Sequence, residues 1–368
     1  MVIKEFGALN FRNYRECFVT FNQGINIFIG NNGQGKTNLA EGIYFICHLS
    51  SFRTPRLDHL ITFGEGQGFV QGVVEKREIT SKAKIELNRN GRRVWLDNQP
   101  VSAMSAYISL FHALLFNPDS LYNYRNHPAE RRLLFDRLLS FYDQEYLQVI
   151  KEYRRVHLQK NRLLKSGNLT SLPDWNQLFI DRAHVIIRKR REMVENITPA
   201  LAESFGALSG RAETLRLDYL PSLKGDPSGD AEILTRAKES EAQAGYALYG
   251  PHRDDFRMAL GGTTAGNDRG HDPRPQGRNE SFFSQGEYRI AHLALKLALN
   301  DMLGDRMGFH PALILDDLYS ELDPEVAGRL TGHLKELPNQ IFITTTQTPK
   351  KLELPGDHIM EIRDGRIH

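Results

Sequence analysis

The chain has 368 residues, with 47 Lys and Arg against 45 Asp and Glu, so its formal net charge is only +2. This balance excludes a uniformly basic or acidic protein and leaves any binding of polyanions to local clusters of charge. Two cysteines exclude a disulfide framework and a cysteine-based zinc cluster.

The opening residues contain no basic region followed by an apolar core, so we expect no signal peptide and a cytoplasmic protein. No apolar run approaches the roughly 20 residues that a membrane span needs, and no membrane partner is expected. Cys47 lies in an apolar stretch and is predicted to be a packed core thiol.

A glycine-rich loop is the strongest feature near the start. Apolar alternation up to the run at 25–29 predicts short strands, and the spacing of Leu39, Ile43 and Ile46 predicts a helix. Between them, residues 30–37 read Gly-Asn-Asn-Gly-Gln-Gly-Lys-Thr. This string fits the P-loop pattern in its required place between a strand and a helix.

The residue types of this loop suit a nucleoside triphosphate. Glycines let backbone N–H groups approach phosphate oxygens, and the helix presents its positive end to them. Lys36 would reach the β- and γ-phosphates, and the Thr37 hydroxyl would bind Mg²⁺. The predicted nucleotide contacts in this loop are Gly30, Asn31, Asn32, Gly33, Gln34, Gly35, Lys36, Thr37 and Asn38.

The middle of the chain predicts a helical arm. Residues 69–96 predict strands with a hairpin turn at Asn90-Gly91. From 119 to 204, glycine is nearly absent and helix-forming residues dominate. Residues 151–200 contain 11 Lys and Arg against 5 Asp and Glu. A solvated helix face and a nucleic-acid contact both account for this excess.

Strand patterns return after the arm, at 215–220 and at 256–260. Residues 261–280 are rich in Gly, Asp, Arg and Pro and predict an exposed loop, and a helix is predicted from about 286 to 302.

An apolar strand at 311–316 ends in two carboxylates. Asp316 stands where a Walker B aspartate holds Mg²⁺, directly or through water. Asp317 is predicted to orient or deprotonate the attacking water. A helix N-cap, or a carboxylate lying behind the metal ligands, is the alternative for Asp317.

A third motif specifies the class of ATPase. Phe283-Ser-Gln-Gly-Glu287 precedes an apolar-periodic helix, and Ser-Glu-Leu-Asp-Pro at 320–324 follows the carboxylate strand. This order resembles ABC-type ATPases, in which the signature Ser and Gly face the γ-phosphate of ATP bound to the other subunit. The resemblance implies an ATP-dependent homodimer in which Ser284, Gln285, Gly286 and Glu287 complete the partner's ATP site.

The long insert favours one branch of these ATPases. Lys36 and Phe283 are separated by 246 residues, and a split head with a helical insert resembles the SMC-like DNA-repair branch. The predicted fold class is α/β: a P-loop ABC-type ATPase head with a helical arm inserted between Walker A and the signature and Walker B, SMC-like without a long coiled coil. The predicted parts are 1–118 (head with Walker A), 119–204 (arm) and 205–368 (head with signature, Walker B and D-loop).

Longer strings resemble the bacterial RecF family over nearly the whole chain. They are Leu9-Asn-Phe-Arg-Asn-Tyr, Ser50-Ser-Phe-Arg-Thr, Asn117-Pro-Asp-Ser-Leu, the segment from His127 to Asp136, Gly250-Pro-His-Arg-Asp-Asp-Phe, the segment from Ser284 to Ala298, and the segment from Leu315 to Asp323. The resemblance implies a DNA-binding ATPase of recombinational repair that acts at gaps beside duplex, with weak hydrolysis stimulated by DNA. It also implies action with RecR and RecO in loading RecA.

Several residues keep open alternatives. The candidate catalytic groups are Lys36, Asp317 and Gln347. In many ABC ATPases a histidine stands near the γ-phosphate at the position that Gln347, or a threonine beside it, occupies here. The alternative is that residues 344–347 are a plain strand end. For Arg253, an ion pair with Asp254 or Asp255 is the alternative to a ligand contact. Candidate DNA contacts, each of which is alternatively a surface or salt-bridged residue, are Arg125, Arg131, Arg132, Arg188, Lys189, Arg190 and Arg191.

The chain departs from the family pattern near residues 52 and 124–127 and in a longer loop at 263–280, and none of these departures touches the phosphate or metal residues. Other classes of protein remain as alternatives. A transporter ATPase would need a short insert, and a nuclease of the overcoming-lysogenization type would need a further acidic domain. A scaffold that binds ATP without hydrolysing it fits the same motifs.

Overall fold

The structure is a computed structural model and describes residues 1–108, 110–167, 169–261, 278–347 and 358–368. The chain folds into two compact units. The first unit contains Met1–Leu121 and Leu299–His368, and the second contains Tyr122–Ala298. The first unit is therefore built from two distant parts of the sequence.

Most strands belong to the first unit. They are β1 (Val2–Phe11), β2 (Tyr14–Thr20), β3 (Ile25–Ile29), β4 (Gln67–Lys76), β5 (Ile79–Asn88), β6 (Gly91–Leu96), β7 (Gln99–Pro100), β8 (Ala113–Phe116), β12 (Ala312–Asp316), β13 (Ile341–Thr345), β14 (Ile359–Arg363) and β15 (Arg366–Ile367). The second unit contributes β9 (Thr214–Leu220), β10 (Asp255–Gly261) and β11 (Arg278–Asn279).

The helices divide between the units in the same way. The first unit contains α1 (Lys36–His48), α2 (Met104–Ile108) and α9 (Pro324–Glu336), and the second contains α4 (Pro128–Tyr142), α5 (Gln144–Ser166), α6 (Leu172–Ser209) and α7 (Pro227–Ala244). Two helices run across the division, namely α3 (Pro118–Asn126) and α8 (Gln285–Met307).

Two sheets form the first unit. The first has the order β15-β14-β3-β13-β12-β8 and is parallel except where β15 pairs with β14. The second, β2-β1-β4-β5-β6-β7, is antiparallel throughout. Strands β12 and β13 are buried along their whole length, as the continuous apolar runs in the sequence predict for a covered parallel sheet.

Helix α1 packs against both sheets and is buried on nearly every side. It contacts β12, β13 and β8 of the parallel sheet, and β1 and β4 of the antiparallel sheet. A Cβ atom at Gly42 would lie 2.5 Å from the ring of Phe6, so glycine is needed for this close approach. Cys47, fully buried in the same core, confirms the prediction of a packed thiol.

The second unit packs helices against a small sheet in the order β11-β10-β9. The long helix α6 contacts α5, α7 and β9, and its buried face follows helical spacing. The unit extends to Ala298, whereas the sequence predicted an arm ending at 204. The functional boundaries at 118 and 204 stay predictions.

The local predictions from the sequence compare well with the elements. The predicted hairpin joins β5 to β6, with Arg89 and Asn90 in the turn and Gly91 as the first residue of β6. The helix predicted at about 286–302 lies within α8. Most of the loop predicted at 261–280 lies outside the described residues. Within the described ranges, no helix combines the length and the apolar character that crossing a membrane requires.

Candidate nucleotide-binding site

The glycine loop connects β3 to α1, as the P-loop pattern predicts. Gly33 and Gly35 have φ angles of 81° and 119°, in the left-handed region that other residues rarely adopt. Helix α1 begins directly after Gly35, which has no side chain to accept hydrogen bonds from the first N–H groups. These donors and the positive end of the helix dipole therefore form a site suited to an anion.

The Lys36 side chain lies along this loop. Its Nζ donates to the carbonyl oxygens of Gly30 and Asn31, each at 2.9 Å, and the residue is only 7% exposed. Burial lowers the pKa of Lys36, whereas the carboxylates of Asp317 and Asp316 act in the opposite direction. The ammonium group is thus held by neutral carbonyls at the mouth of the phosphate cradle.

The remaining predicted contacts of the loop differ in their surroundings. Asn31, Asn32 and Gly33 are exposed, and Gln34 is partly buried. The Asn38 amide donates to Asn13 Oδ1 at 2.8 Å and accepts from Arg53 at 2.7 Å.

Thr37 and Asp316 meet at the start of α1 and the end of β12. The Thr37 hydroxyl donates to Asp316 Oδ1 at 2.9 Å, and the Thr344 hydroxyl donates to the same oxygen at 2.7 Å. Burial raises the pKa of Asp316, and the two hydroxyl donors act against this shift. The two residues predicted to hold Mg²⁺ are therefore in direct contact, and their role as metal ligands stays a prediction.

The residue types of this pair fit Mg²⁺. Carboxylate and hydroxyl oxygens are its usual ligands, and Mg²⁺ takes few protein ligands beside phosphate oxygens and water. In the described part of the chain, no group of three or more His, Cys, Asp or Glu side chains is placed to hold a metal. One carboxylate and one hydroxyl are a donor set that suits a cation shared with phosphate oxygens.

Asp317 and Gln347 lie at the same edge of the parallel sheet as the glycine loop. Thr344 pairs with both Asp316 of β12 and Phe28 of β3, so the carboxyl ends of these three strands are adjacent. Asp317 is exposed, with φ at 50°, and its N–H donates to Thr344 Oγ1 at 2.9 Å. This edge is where parallel α/β sheets bind ligands.

The Gln347 backbone N–H donates to Thr345 Oγ1 at 3.0 Å, just after β13 ends. The catalytic roles of Lys36, Asp317 and Gln347 stay predictions, because their positions alone do not assign a chemical step.

The signature residues stand at the start of α8, in the second unit. Ser284 Oγ accepts from the N–H of Glu287 at 3.2 Å, and the Glu287 carboxylate accepts from the N–H of Ser284 at 2.8 Å. This reciprocal capping box begins the helix. Ser284, Gln285 and Gly286 are exposed, so the first turn of a 23-residue helix faces solvent.

Comparison with known proteins now identifies the family. The family model described as RecF/RecN/SMC N terminal domain matches residues 2–363. The chain is 31% identical over 376 residues to the DNA replication and repair protein RecF of Geotalea daltonii, which covers 100% of both chains. It is 33% identical over 363 residues to the RecF of Lactobacillus gasseri, covering 94% of this chain and 92% of that protein. The chain belongs to the RecF family.

Solved structures confirm the fold class. The structure described as the recombination mediator protein RecF-ATP in the RecFOR pathway has a TM-score of 0.85 and 26% sequence identity, and covers 100% of this chain and 96% of that chain. The SMC head domain of Pyrococcus furiosus has a TM-score of 0.60 at 17% identity, over 99% of this chain and 94% of that chain, which shows the fold alone. The described residues form such a head without a long coiled coil.

The basic residues predicted to contact DNA separate into two groups in this RecF-family chain. Arg190 is 1% exposed and pairs with Asp136 and Asp254, each at 2.8 Å. Arg131 is buried and pairs with Asp255 at 2.7 Å. As a correction, these two arginines leave the set of candidate DNA contacts because their guanidinium groups are buried against carboxylates.

The other five basic residues are nearer the surface. Arg132 donates to the carbonyl oxygen of Asp254 at 2.8 Å, and Lys189 contacts Asp143 and Glu145 at 2.8 and 2.7 Å. Arg125, Arg188 and Arg191 are exposed and stay the best-placed candidates.

The 250–256 string of the RecF family has a structural explanation that the sequence did not supply. Asp254 accepts from Arg190, from the Tyr219 hydroxyl and from the N–H of Ser222. Arg253 instead lies over the Tyr246 ring, 5.3 Å from its centroid. Of the two alternatives left open for Arg253, the ion pair with Asp254 or Asp255 is contradicted, because Arg190 and Arg131 pair with those carboxylates.

Sequence reasoning missed one buried carboxylate beside the glycine loop. Glu41 is fully buried and accepts from Arg12 at 2.7 Å through both carboxylate oxygens, while Arg53 lies 3.6 Å away. Arg12 and Arg53 belong to two of the strings that carry the family resemblance. A glutamate six residues before Cys47, on an otherwise apolar helix face, was the available signal.

Proposed function

We propose that this chain is an ATP-binding and ATP-hydrolysing protein of DNA repair that closes as a homodimer on DNA. The observation that carries the proposal is the meeting of Thr37 with Asp316 beside a glycine loop at the carboxyl edge of the parallel sheet. The relatives named DNA replication and repair protein RecF, and the RecF structure described with ATP, support the choice of nucleotide and process.

The loop residues would hold the triphosphate. The N–H groups at the start of α1 would contact phosphate oxygens, and Lys36 would exchange its carbonyl partners for the β- and γ-phosphates. Mg²⁺, held by Thr37 and Asp316, would neutralise charge on the phosphates. Asp317 would orient the attacking water, with Gln347 near the γ-phosphate as the second catalytic candidate.

The signature residues support a site shared between two copies. Ser284 already accepts from Glu287, but a hydroxyl keeps its own hydrogen as a donor. In the dimer, Ser284 and Gly286 of the partner copy would donate to the γ-phosphate. Charge-assisted bonds of this kind contribute ~1.5–3 kcal/mol each, so two such sites make ATP a dimerisation latch.

Hydrolysis would release the dimer, because it removes the γ-phosphate that both copies contact. We propose that turnover is weak and stimulated by DNA, as the family resemblance implies. DNA would be bound at gaps and single-strand to double-strand junctions, by phosphate contacts from Arg125, Arg188 and Arg191. RecR is the proposed direct partner, with RecO and RecA acting later in the cytoplasm.

A mixed-variant measurement of ATP turnover on gapped duplex tests the shared site. We expect Lys36→Met and Ser284→Arg each to abolish turnover and the ATP-dependent dimer when alone. An equimolar mixture should recover part of the activity. In the mixed dimer one site joins the intact loop of one copy to the intact signature of the other. Ser228→Arg, at an exposed serine in the first turn of α7, is the matched control and should retain full activity.

The outcomes separate this proposal from its alternatives. If the mixture stays as inactive as the separate variants, the shared site is wrong. Turnover that no form of DNA changes would favour an ATPase of another class, such as a transporter-type enzyme. ATP-dependent dimers without any turnover would favour a scaffold.

A further inference from the structure

Two turns from opposite parts of the sequence hold one carbonyl of the glycine loop. The carbonyl oxygen of Gln34 accepts from the N–H of Gly365 at 3.0 Å and from the Asn13 side-chain amide at 3.1 Å. Asn13 lies in the turn between β1 and β2, and Gly365 lies in the turn between β14 and β15. Both lone pairs of this carbonyl are therefore occupied by donors from outside the loop.

The next carbonyl is held in the same way. The Tyr14 hydroxyl, which is buried, donates to the carbonyl oxygen of Gly35 at 3.0 Å. The N–H of Leu39 donates to the same oxygen at 3.0 Å as the first turn of α1. Burial raises the pKa of Tyr14, so its hydroxyl stays protonated and able to donate.

The direction of these two carbonyls also fixes the direction of the N–H groups that follow them. In a planar trans peptide, the C=O of one residue and the N–H of the next point in opposite directions. Holding the carbonyls of Gln34 and Gly35 towards these donors therefore directs the N–H groups of Gly35 and Lys36 to the opposite side. These are the N–H groups at the start of α1 where an anion binds.

The turn at Asp364-Gly365 fits against the loop without spare room. The N–H of Asp364 donates to Gln34 Oε1 at 2.6 Å. Gly365 has φ at 71°, and a Cβ atom there would lie 2.5 Å from the carbonyl oxygen of Asn13. A Cβ atom at Gly30 would lie 2.4 Å from the carbonyl oxygen of Ile362. The hairpin of β14 and β15 thus lies against the backbone of the glycine loop and against the turn between β1 and β2.

We propose that Asn13, Tyr14 and Gly365 are positioning residues that form a peptide clamp, which sets the direction of the phosphate-binding N–H groups before nucleotide arrives. The clamp rests on the proposed nucleotide site and adds residues outside the P-loop motif. A donor already directed at its ligand binds more tightly, because no reorientation is needed at the moment of binding. Residues 364–365 would therefore control nucleotide affinity without touching the nucleotide.

The test measures binding of fluorescent mant-ADP to the full chain, together with the urea midpoint without nucleotide. Tyr14→Phe removes the hydroxyl and keeps the ring. Tyr107→Phe is the matched control, since the buried Tyr107 hydroxyl donates to the carbonyl oxygen of Ile46 near the other end of α1, at 2.8 Å. We expect the two midpoints to fall alike. Only Tyr14→Phe should weaken mant-ADP binding, by roughly fivefold, the factor that corresponds to about 1 kcal/mol.

A glycine pair gives the second, independent comparison. Gly365→Ala should weaken mant-ADP binding more than tenfold. Gly64→Ala, at an open position with φ at 91°, carries similar backbone strain in the same unit and should leave binding unchanged. If Tyr14→Phe and Gly365→Ala bind mant-ADP like the parent chain while Lys36→Met does not, the clamp is wrong and the nucleotide site stands. If the parent chain itself fails to bind mant-ADP, both are overturned.

Discussion

The nucleotide site and the core of the second unit use buried charge in different ways. At the site, the buried Lys36 donates to two neutral carbonyls, and the buried Asp316 accepts from two hydroxyls. In the second unit, the buried Arg190 faces two carboxylates, and Lys160 faces Glu241 with both side chains fully buried. In the first region the hydrogen-bond partners of the buried charges are neutral, although Asp316 and Asp317 lie near enough to act on the pKa of Lys36. In the second region the partners carry the opposite charge.

This difference separates functional from structural charge within one chain. A buried charge whose hydrogen-bond partners are neutral keeps a strong attraction for a ligand of opposite sign. When a buried charge has a permanent counter-ion, that attraction acts within the fold and is not available to a ligand. The arginines of the 188–191 run show the same contrast, because Arg190 is enclosed while Arg188 is about half exposed.

The largest effect should come from breaking the Arg190 cluster. Arg190→Met leaves the carboxylates of Asp136 and Asp254 without their cation, and removal of one partner from a buried pair costs about 3–5 kcal/mol. Urea unfolding measures this loss. Arg188→Met, two residues away at an exposed ion pair, is the control and should change stability by less than about 1 kcal/mol. Equal losses in the two variants would remove the distinction between enclosed and surface arginines.

A second variant series sharpens the comparison at Lys160 and Glu241. Their Nζ and Oε2 atoms lie 2.8 Å apart, and the Phe179 ring centroid lies 4.7 Å from the same Nζ. Lys160→Met alone should lower the free energy of unfolding by about 3 kcal/mol, because it leaves the buried Glu241 carboxylate without its counter-ion. The double variant Lys160→Met with Glu241→Leu should recover part of this loss, because no unpaired charge stays buried. The recovery should be incomplete, because the Leu248 N–H donates to Glu241 Oε1 at 2.8 Å and loses this acceptor. Additive losses in the double variant would show that the pair stabilises the fold by its charge.

A further comparison is the dependence of stability on pH in the second unit. The rings of His157 and His252 stack with centroids 4.0 Å apart, and burial lowers their pKa values to about 4 and about 3. The unfolded chain binds protons at these positions below about pH 6.5, whereas the folded chain does not. Their contribution to stability is therefore fully present above about pH 6.5 and is lost as the pH falls towards 4.

Urea unfolding at pH 7 and pH 4.5 checks this expectation. His157→Gln removes one of the buried titrations and should lose less stability between the two pH values than the parent chain does. His59→Gln, at an exposed histidine, should keep the slope of the parent. If His157→Gln loses as much stability between pH 7 and pH 4.5 as the parent chain does, the pH dependence of stability belongs to other groups.

Local patterns were enough to predict the phosphate loop and its flanking elements. Gly33 and Gly35 are required by their own φ angles, and the strand before them and helix after them have clear periodicity. The Walker B strand was equally readable, because a fully buried parallel strand is apolar along its whole length. Even the inward direction of Arg190 was available, since it lies on the helix face of Ile186, Met193 and Ile197.

What the sequence did not predict depends on contacts between distant residues. No local sequence pattern predicts that Asp254 pairs with Arg190 rather than with Arg253, because Arg253 is its neighbour in sequence and Arg190 reaches it only in the folded chain. The contact of Gly365 with the Gln34 carbonyl is likewise invisible, because it joins residues 34 and 365 through the register of β14 with β3. Such pairings are set by tertiary packing rather than by propensity or spacing.

The pairing of β3 with β13 also has a consequence for synthesis on the ribosome. Ile25 of β3 is the register partner of Ile341 of β13. Strand β3 therefore has no neighbour in the parallel sheet until β13 and β14 have been translated. Contacts of such high sequence separation slow folding, and they leave the early strand unpaired while the nascent chain lengthens. The glycine loop follows that strand directly, so a truncated translation product would carry the phosphate motif without the sheet edge that shapes it.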